Sequence, residues 1–145
     1  MSNIKEFLTA DHRECDETFA MMEDAVADNN DDALLKFEKF YDDLNNHFSM
    51  EEIVLFQALG QVSTIADNPA KLMEMEHEQM RELLSKMRNA LEQKDKDKFF
   101  SASETLMILM QQHNMKEEQI LYTLAQQHLS DDADHLISRM RSVVY

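Results

Sequence analysis

Residues 37–56, FEKFYDDLNNHFSMEEIVLF, return in altered form as residues 103–122, SETLMILMQQHNMKEEQILY. In the first copy Phe37, Phe40, Leu44, His47, Glu51 and Val54 follow one another at spacings of three and four, which lays them along one buried face of a helix. The second copy gives Leu106, Met110, His113, Glu117 and Ile120, and Leu124 continues the stripe. Each stripe therefore carries a histidine and a glutamate where a core demands apolar side chains.

Working outward, the segments before these two copies are related as well. Leu8, His12, Cys15, Phe19, Met22 and Val26 correspond to Met73, His77, Met80, Leu84, Met87 and Leu91, each pair 65 positions apart. Four long helices follow from this pattern. The first spans about Asn3 to Ala27, with Ser2 or Asn3 as cap, and the second starts after Asp31 or Asp32 and continues to about Leu59, with Gly60 as its stop. Asn68 and Pro69 are expected to open the third as N-cap and first helical residue, and that helix ends near Gln93. The fourth spans about Lys98 to His128. A short fifth, capped by Ser130, Asp131 and Asp132, carries Leu136, Ile137, Met140 and Val144. The expected fold is an all-α, up-down-up-down four-helix bundle with a short C-terminal fifth helix. Residues 1–145 read as one domain of two related hairpins, about 3–59 and 69–128.

Composition agrees. A chain of 145 residues ordinarily holds about 17 Gly plus Pro, and this one holds one of each, Gly60 and Pro69. Turn-rich β folds and glycine-built phosphate cradles are excluded. The net charge of −15 repels phosphate backbones and anionic lipid surfaces, so nucleic acid and membranes are not expected partners, whereas cations are. MSNIKEFLTADH lacks the apolar stretch of a signal peptide, and Cys15 is the single cysteine; both suit a cytoplasmic setting.

The four histidines share a level. His12 and His77 lie 16 residues before Asp28 and Gln93; His47 and His113 lie 15 and 16 after Asp32 and Asp97. At 1.5 Å per residue each is about 24 Å from its turn. Glu51 and Glu117 follow one turn on, on the same faces as His47 and His113. Two buried carboxylates facing one another are costly without positive charge, and no Lys or Arg stands on the stripes at that level. A metal supplies it most simply. If both carboxylates bridge, the four histidines and two glutamates give each of two ions two nitrogens and two oxygens. That leaves an octahedral ion open positions and suits iron or manganese better than structural zinc.

The motifs His47-Phe-Ser-Met-Glu51 and His113-Asn-Met-Lys-Glu117, each preceded by a helix bearing one histidine, His12 or His77, closely resemble the hemerythrin-like family, the HHE cation-binding domain. The resemblance covers the chain to about Leu129. It implies a non-heme di-iron centre in a four-helix bundle, with His12, His47, His77 and His113 as terminal ligands, Glu51 and Glu117 as bridges, and an oxo or hydroxo bridge. It also implies binding or sensing of dioxygen, or a part in nitric oxide and iron–sulfur stress. Oxygen carriers of the family have a fifth histidine where Met73 stands here, and an Asp at longer spacing in place of Glu117. The site is thus more symmetric and more open than a carrier's, which argues against simple oxygen carriage.

The expected function is binding of dioxygen, peroxide or nitric oxide at open iron positions. The alternatives are an iron donor or a redox enzyme for nitric oxide or peroxide, and a metal sensor acting through a protein partner, for which the fifth helix is the candidate contact. His128 and His135 are read as solvated, Cys15 as a small buried hydrophobe, and most of the methionines as core. Asp11, Glu52, Glu76 and Glu118, beside the histidines, are read first as solvated surface, with hydrogen bonds to the imidazoles as the other possibility.

Overall fold

A computed structural model describes residues 3–144. Among them, helix α1 is Ile4–Ala27, α2 spans 33–62, α3 is Asp67–Glu92, α4 spans 96–128 and α5 is Ala133–Arg141. Asn3 caps α1, its side-chain oxygen accepting from the Glu6 N–H at 3.0 Å, and Asp95 caps α4 by accepting from Lys98 at 3.1 Å. Ser2, the other candidate cap, lies outside the described residues. The turns after α1 and α3 each use a left-handed residue, Asn29 at φ 55° and Lys94 at φ 56°; asparagine tolerates that conformation better than lysine.

Two helix boundaries differ from expectation. Gly60 does not end α2; the helix continues to Val62 and stops where Ser63 turns extended. Helix α3 starts at Asp67, so Asn68 lies inside it rather than capping it, and Pro69 is its third residue. Proline is tolerated there because first-turn N–H groups have no partner within the helix. The fifth helix begins after a 3₁₀ turn at Ser130–Asp132.

Side-chain contacts tie the long helices to one another. Phe19 of α1 meets Phe40 of α2 with ring centroids 5.2 Å apart. Arg88 of α3 donates to Glu38 of α2 at 2.8 Å. Ser103 of α4 donates to Glu23 of α1 at 3.0 Å, and at the far end Lys5 donates to Thr123 at 3.3 Å.

Neither α2 nor α4 is a continuous α-helix. Each contains one turn of π-helix, at Glu51–Leu55 and at Glu117–Leu121. The N–H of Phe56 bonds to the carbonyl of Glu51, and that of Tyr122 to the carbonyl of Glu117, the i→i+5 pattern that admits one extra residue per turn. The buried face shifts accordingly. Ile120, placed on the stripe by three-and-four spacing, is 46% exposed, while Leu121, Tyr122 and Ala125 turn inward.

Two apolar clusters fill the bundle. One gathers Phe19, Phe37, Phe40, Leu84, Phe99 and Leu106 toward the α1–α2 and α3–α4 turns. The other holds Ile4, Leu8, Leu55, Leu59, Leu121 and Tyr122 at the opposite end. Leu136, Ile137 and Met140 of α5 are buried in this second cluster, each contributing roughly 1.5–3 kcal/mol if fully withdrawn from water. The apolar face of α5 is thus spent on the bundle. No described helix is long and apolar enough to cross a membrane.

Candidate metal centre

Between the two apolar clusters lies a polar layer. His12, His47, Glu51, His77, His113 and Glu117 meet there, none more than 4% exposed. They come from all four long helices, because each helix puts one histidine on its inward stripe and α2 and α4 add a glutamate one turn later. The Nε2 atoms of His12 and His113 lie 3.1 and 3.2 Å from Glu117 Oε1, and His77 Nε2 lies 3.1 Å from Glu51 Oε1.

The six residues form two overlapping sets, His12, His47, Glu51, Glu117 and Glu51, His77, His113, Glu117, in each of which one donor atom per residue lies within 4.8 Å of the others. In the second set, one atom of every residue is buried without a hydrogen-bond partner: Glu51 Oε1, His77 Nε2, His113 Nε2 and Glu117 Oε2. Orphaned polar atoms cost free energy that a native core avoids. Four of them on residues whose donor atoms lie close together, two nitrogens and two oxygens, form a set that fits a cation.

Each imidazole is anchored on its far side by a carboxylate. His12 donates from Nδ1 to Glu118 at 2.8 Å, His47 to Asp11 at 2.6 Å, His77 to Glu52 at 2.6 Å and His113 to Glu76 at 2.8 Å. The contacts obey the sequence repeat: Glu52 and Glu118 serve His77 and His12, as Asp11 and Glu76 serve His47 and His113. An ionised carboxylate only accepts, so Nδ1 carries the hydrogen and Nε2 is left to offer its lone pair inward. The reading of these four carboxylates as solvated surface is therefore corrected. Arg81 donates twice to Glu52, at 3.1 and 2.9 Å, and Lys116 pairs with Glu76.

The layer draws positive charge strongly. Burial alone would lower the pKa of His47, but the charge of Glu51 beside it and the hydrogen bond to Asp11 push it up to about 10. His77, against the same burial effect, is pushed up to about 11 by the nearby carboxylates of Glu117 and Glu51 and its hydrogen bond to Glu52. His113 is raised in the same way by Glu117. Burial would raise Glu117, yet the imidazoles of His113, His12 and His77 beside it hold it well below the usual carboxylate range. In the metal-free protein these carboxylates recruit protons onto imidazoles; a cation would compete for the same nitrogens.

Residues 3–125 match the family model of the hemerythrin HHE cation-binding domain. The chain belongs to that family. No curated protein and no solved structure matches it. The match takes in all six residues of the layer, and the two sets of buried donors make this hemerythrin-family chain a metal-binding domain.

Sequence reasoning overlooked one member of the layer. Tyr122 is fully buried, and its hydroxyl donates to Glu51 Oε2 at 2.7 Å. The same oxygen lies 3.0 Å from His12 Nε2, 3.3 Å from His47 Nε2 and 3.2 Å from Glu117 Oε1. The π turn brings it there, since i→i+5 bonding carries the residue five places after Glu117 back toward the face of Glu117 itself. Its counterpart in the repeat is Phe56, whose ring stacks over His77 at 6.0 Å. Phe48 covers His77 more closely, at 4.0 Å.

Other residues stand as read. His128 and His135 are exposed. Cys15 is buried, and burial, reinforced by Asp11 and Asp43, pushes its thiol pKa up, so it stays a protonated small hydrophobe. Met80 and Met110 are core. Met73 is buried and borders an apolar groove between α3 and α4 with Pro69, Leu72, Ile120 and Leu121.

Proposed function

We propose that this hemerythrin-family domain is a non-heme di-iron protein of the cytoplasm that binds dioxygen, peroxide or nitric oxide at open iron positions. In this reading His12 and His47 would hold one ion, His77 and His113 the other, and Glu51 and Glu117 would be shared by both, within an up-down-up-down frame of the four long helices. The observation that carries it is the paired set of buried donors, each imidazole presenting Nε2 inward because a carboxylate takes its Nδ1 hydrogen. Iron in such a set supplies vacant coordination positions and two accessible oxidation states.

The chain's own groups do the rest. Asp11, Glu52, Glu76 and Glu118 fix the imidazole orientations and raise their basicity. The apolar clusters above and below exclude water, and small weakly polar molecules cross such walls more readily than ions. Tyr122 holds a proton 2.7 Å from Glu51, inside a layer with no exposed acid. Four neutral nitrogens and two carboxylates leave two ferrous ions under-neutralised, a preference for anionic or electron-accepting ligands. Ferrous-loaded protein should change its visible spectrum on exposure to nitric oxide and, separately, to air. An iron-loaded protein whose spectrum is indifferent to nitric oxide, peroxide and air alike would overturn this reading.

A further inference from the structure

The geometry points to Tyr122 as a fifth protein donor to the ion held by His12 and His47, which makes the two halves of the centre chemically different. This inference rests on the layer being a two-metal centre. Its basis is the position of the phenol oxygen, which lies 2.7, 3.0, 3.2 and 3.3 Å from one atom each of Glu51, His12, Glu117 and His47. Those four residues are one complete metal-binding set. With metal–ligand bonds of about 2.0–2.2 Å, neighbouring corners of an octahedral shell are about 2.8–3.1 Å apart. The oxygen therefore stands where a corner adjoining all four donors belongs.

The other half has no such oxygen. At the equivalent place in the repeat Phe56 lays its ring over His77, and the four donors there are the ones without hydrogen-bond partners. Charge divides the halves in the same sense. Behind His77 and His113, Glu52 is paired with Arg81 and Glu76 with Lys116. Behind His12 and His47, Glu118 and Asp11 meet no Lys or Arg among the described residues. The His12–His47 half keeps more negative charge and one more oxygen, which suits the more highly charged ion. Toward a ferric ion held there Tyr122 would act as a phenolate: its O–H bond would break, the proton shared with Glu51 would pass to solvent, an oxygen lone pair would form the bond to the ion, and no electron would be transferred in that exchange. His77 and His113 would leave their ion one more open position, so a small ligand would bind on that side.

The test loads the full chain with ferrous iron without air, oxidises it with ferricyanide, and records iron content, visible absorption and resonance Raman spectra. Wild-type protein and Tyr41→Phe should show a phenolate-to-iron charge-transfer band with tyrosinate vibrations. Tyr122→Phe should lose both while keeping its iron, and Phe56→Tyr should raise the band about twofold. Should Tyr122→Phe fail to fold, the wild-type spectrum still decides. Two irons without tyrosinate vibrations would overturn the inference and leave the di-iron reading standing; no iron uptake would overturn both.

Discussion

Asp11, Glu52, Glu76 and Glu118 act at the scale of single residues. Their side chains are 17–34% exposed, yet each ends on the Nδ1 of a buried imidazole. That half-exposed placement is why the sequence reads them as surface: nothing in a string of acidic residues separates a carboxylate turned to water from one turned along the flank of a helix to a histidine. Removing one should be felt at the metal. Glu118→Ala is expected to keep its helix content and to bind iron about 10–100-fold more weakly in the His12 half, measured by competition with a chelator; unchanged affinity would deny the carboxylate its role. Tyr122 was hidden differently. It aligns with Phe56 and falls off the stripe that spacing draws through Ile120 and Leu124, and its position in the layer depends on a backbone feature that spacing does not reveal.

That feature belongs to the scale of the element. A period of 3.6 residues identifies α2 and α4 correctly up to Glu51 and Glu117, and misplaces the residues beyond Glu117 because one extra residue enters the turn there. Both π turns begin at the buried glutamates, the place where a local departure from α-helical geometry is most often functional. The consequence is measurable in α4. Leu121→Ala should cost about 2–5 kcal/mol, the ordinary cost of emptying a buried leucine, whereas Ile120→Ala should stay within about 0.5 kcal/mol as a surface change. Chemical denaturation would show it, and the reverse ranking would mean that α4 keeps regular spacing through this turn. The four long helices, and the common depth of their histidines, were legible because polar residues on an apolar stripe are conspicuous. The cap at Asn68 was not, since Asn-Pro carries the same signal whether proline stands first or third in the helix.

At the scale of the whole molecule the polar layer divides the core in two, and its charge state governs stability. His47 and His77 have folded pKa values of about 10 and 11. Raised values add stability that is complete below the unfolded pKa of about 6.5 and lost as pH climbs through the folded ones. Glu117, depressed, adds stability present above about 4.5 and lost as pH falls below it. Metal-free protein should therefore be most stable near pH 5–6 and weaken toward pH 10. Bound metal holds the imidazoles neutral, so loading should remove the alkaline loss, release protons, and raise the melting temperature. Thermal melts across pH, with and without iron, would check this, and identical profiles would contradict it.

The most direct test of the central claim is the metal content of protein reconstituted with ferrous iron in the absence of air and freed of loosely held ions. Two irons per chain are expected, from the two donor sets that share Glu51 and Glu117, and replacing both glutamates by alanine should abolish uptake. A chain that retains no iron, or that keeps both ions without Glu51 and Glu117, would contradict the account.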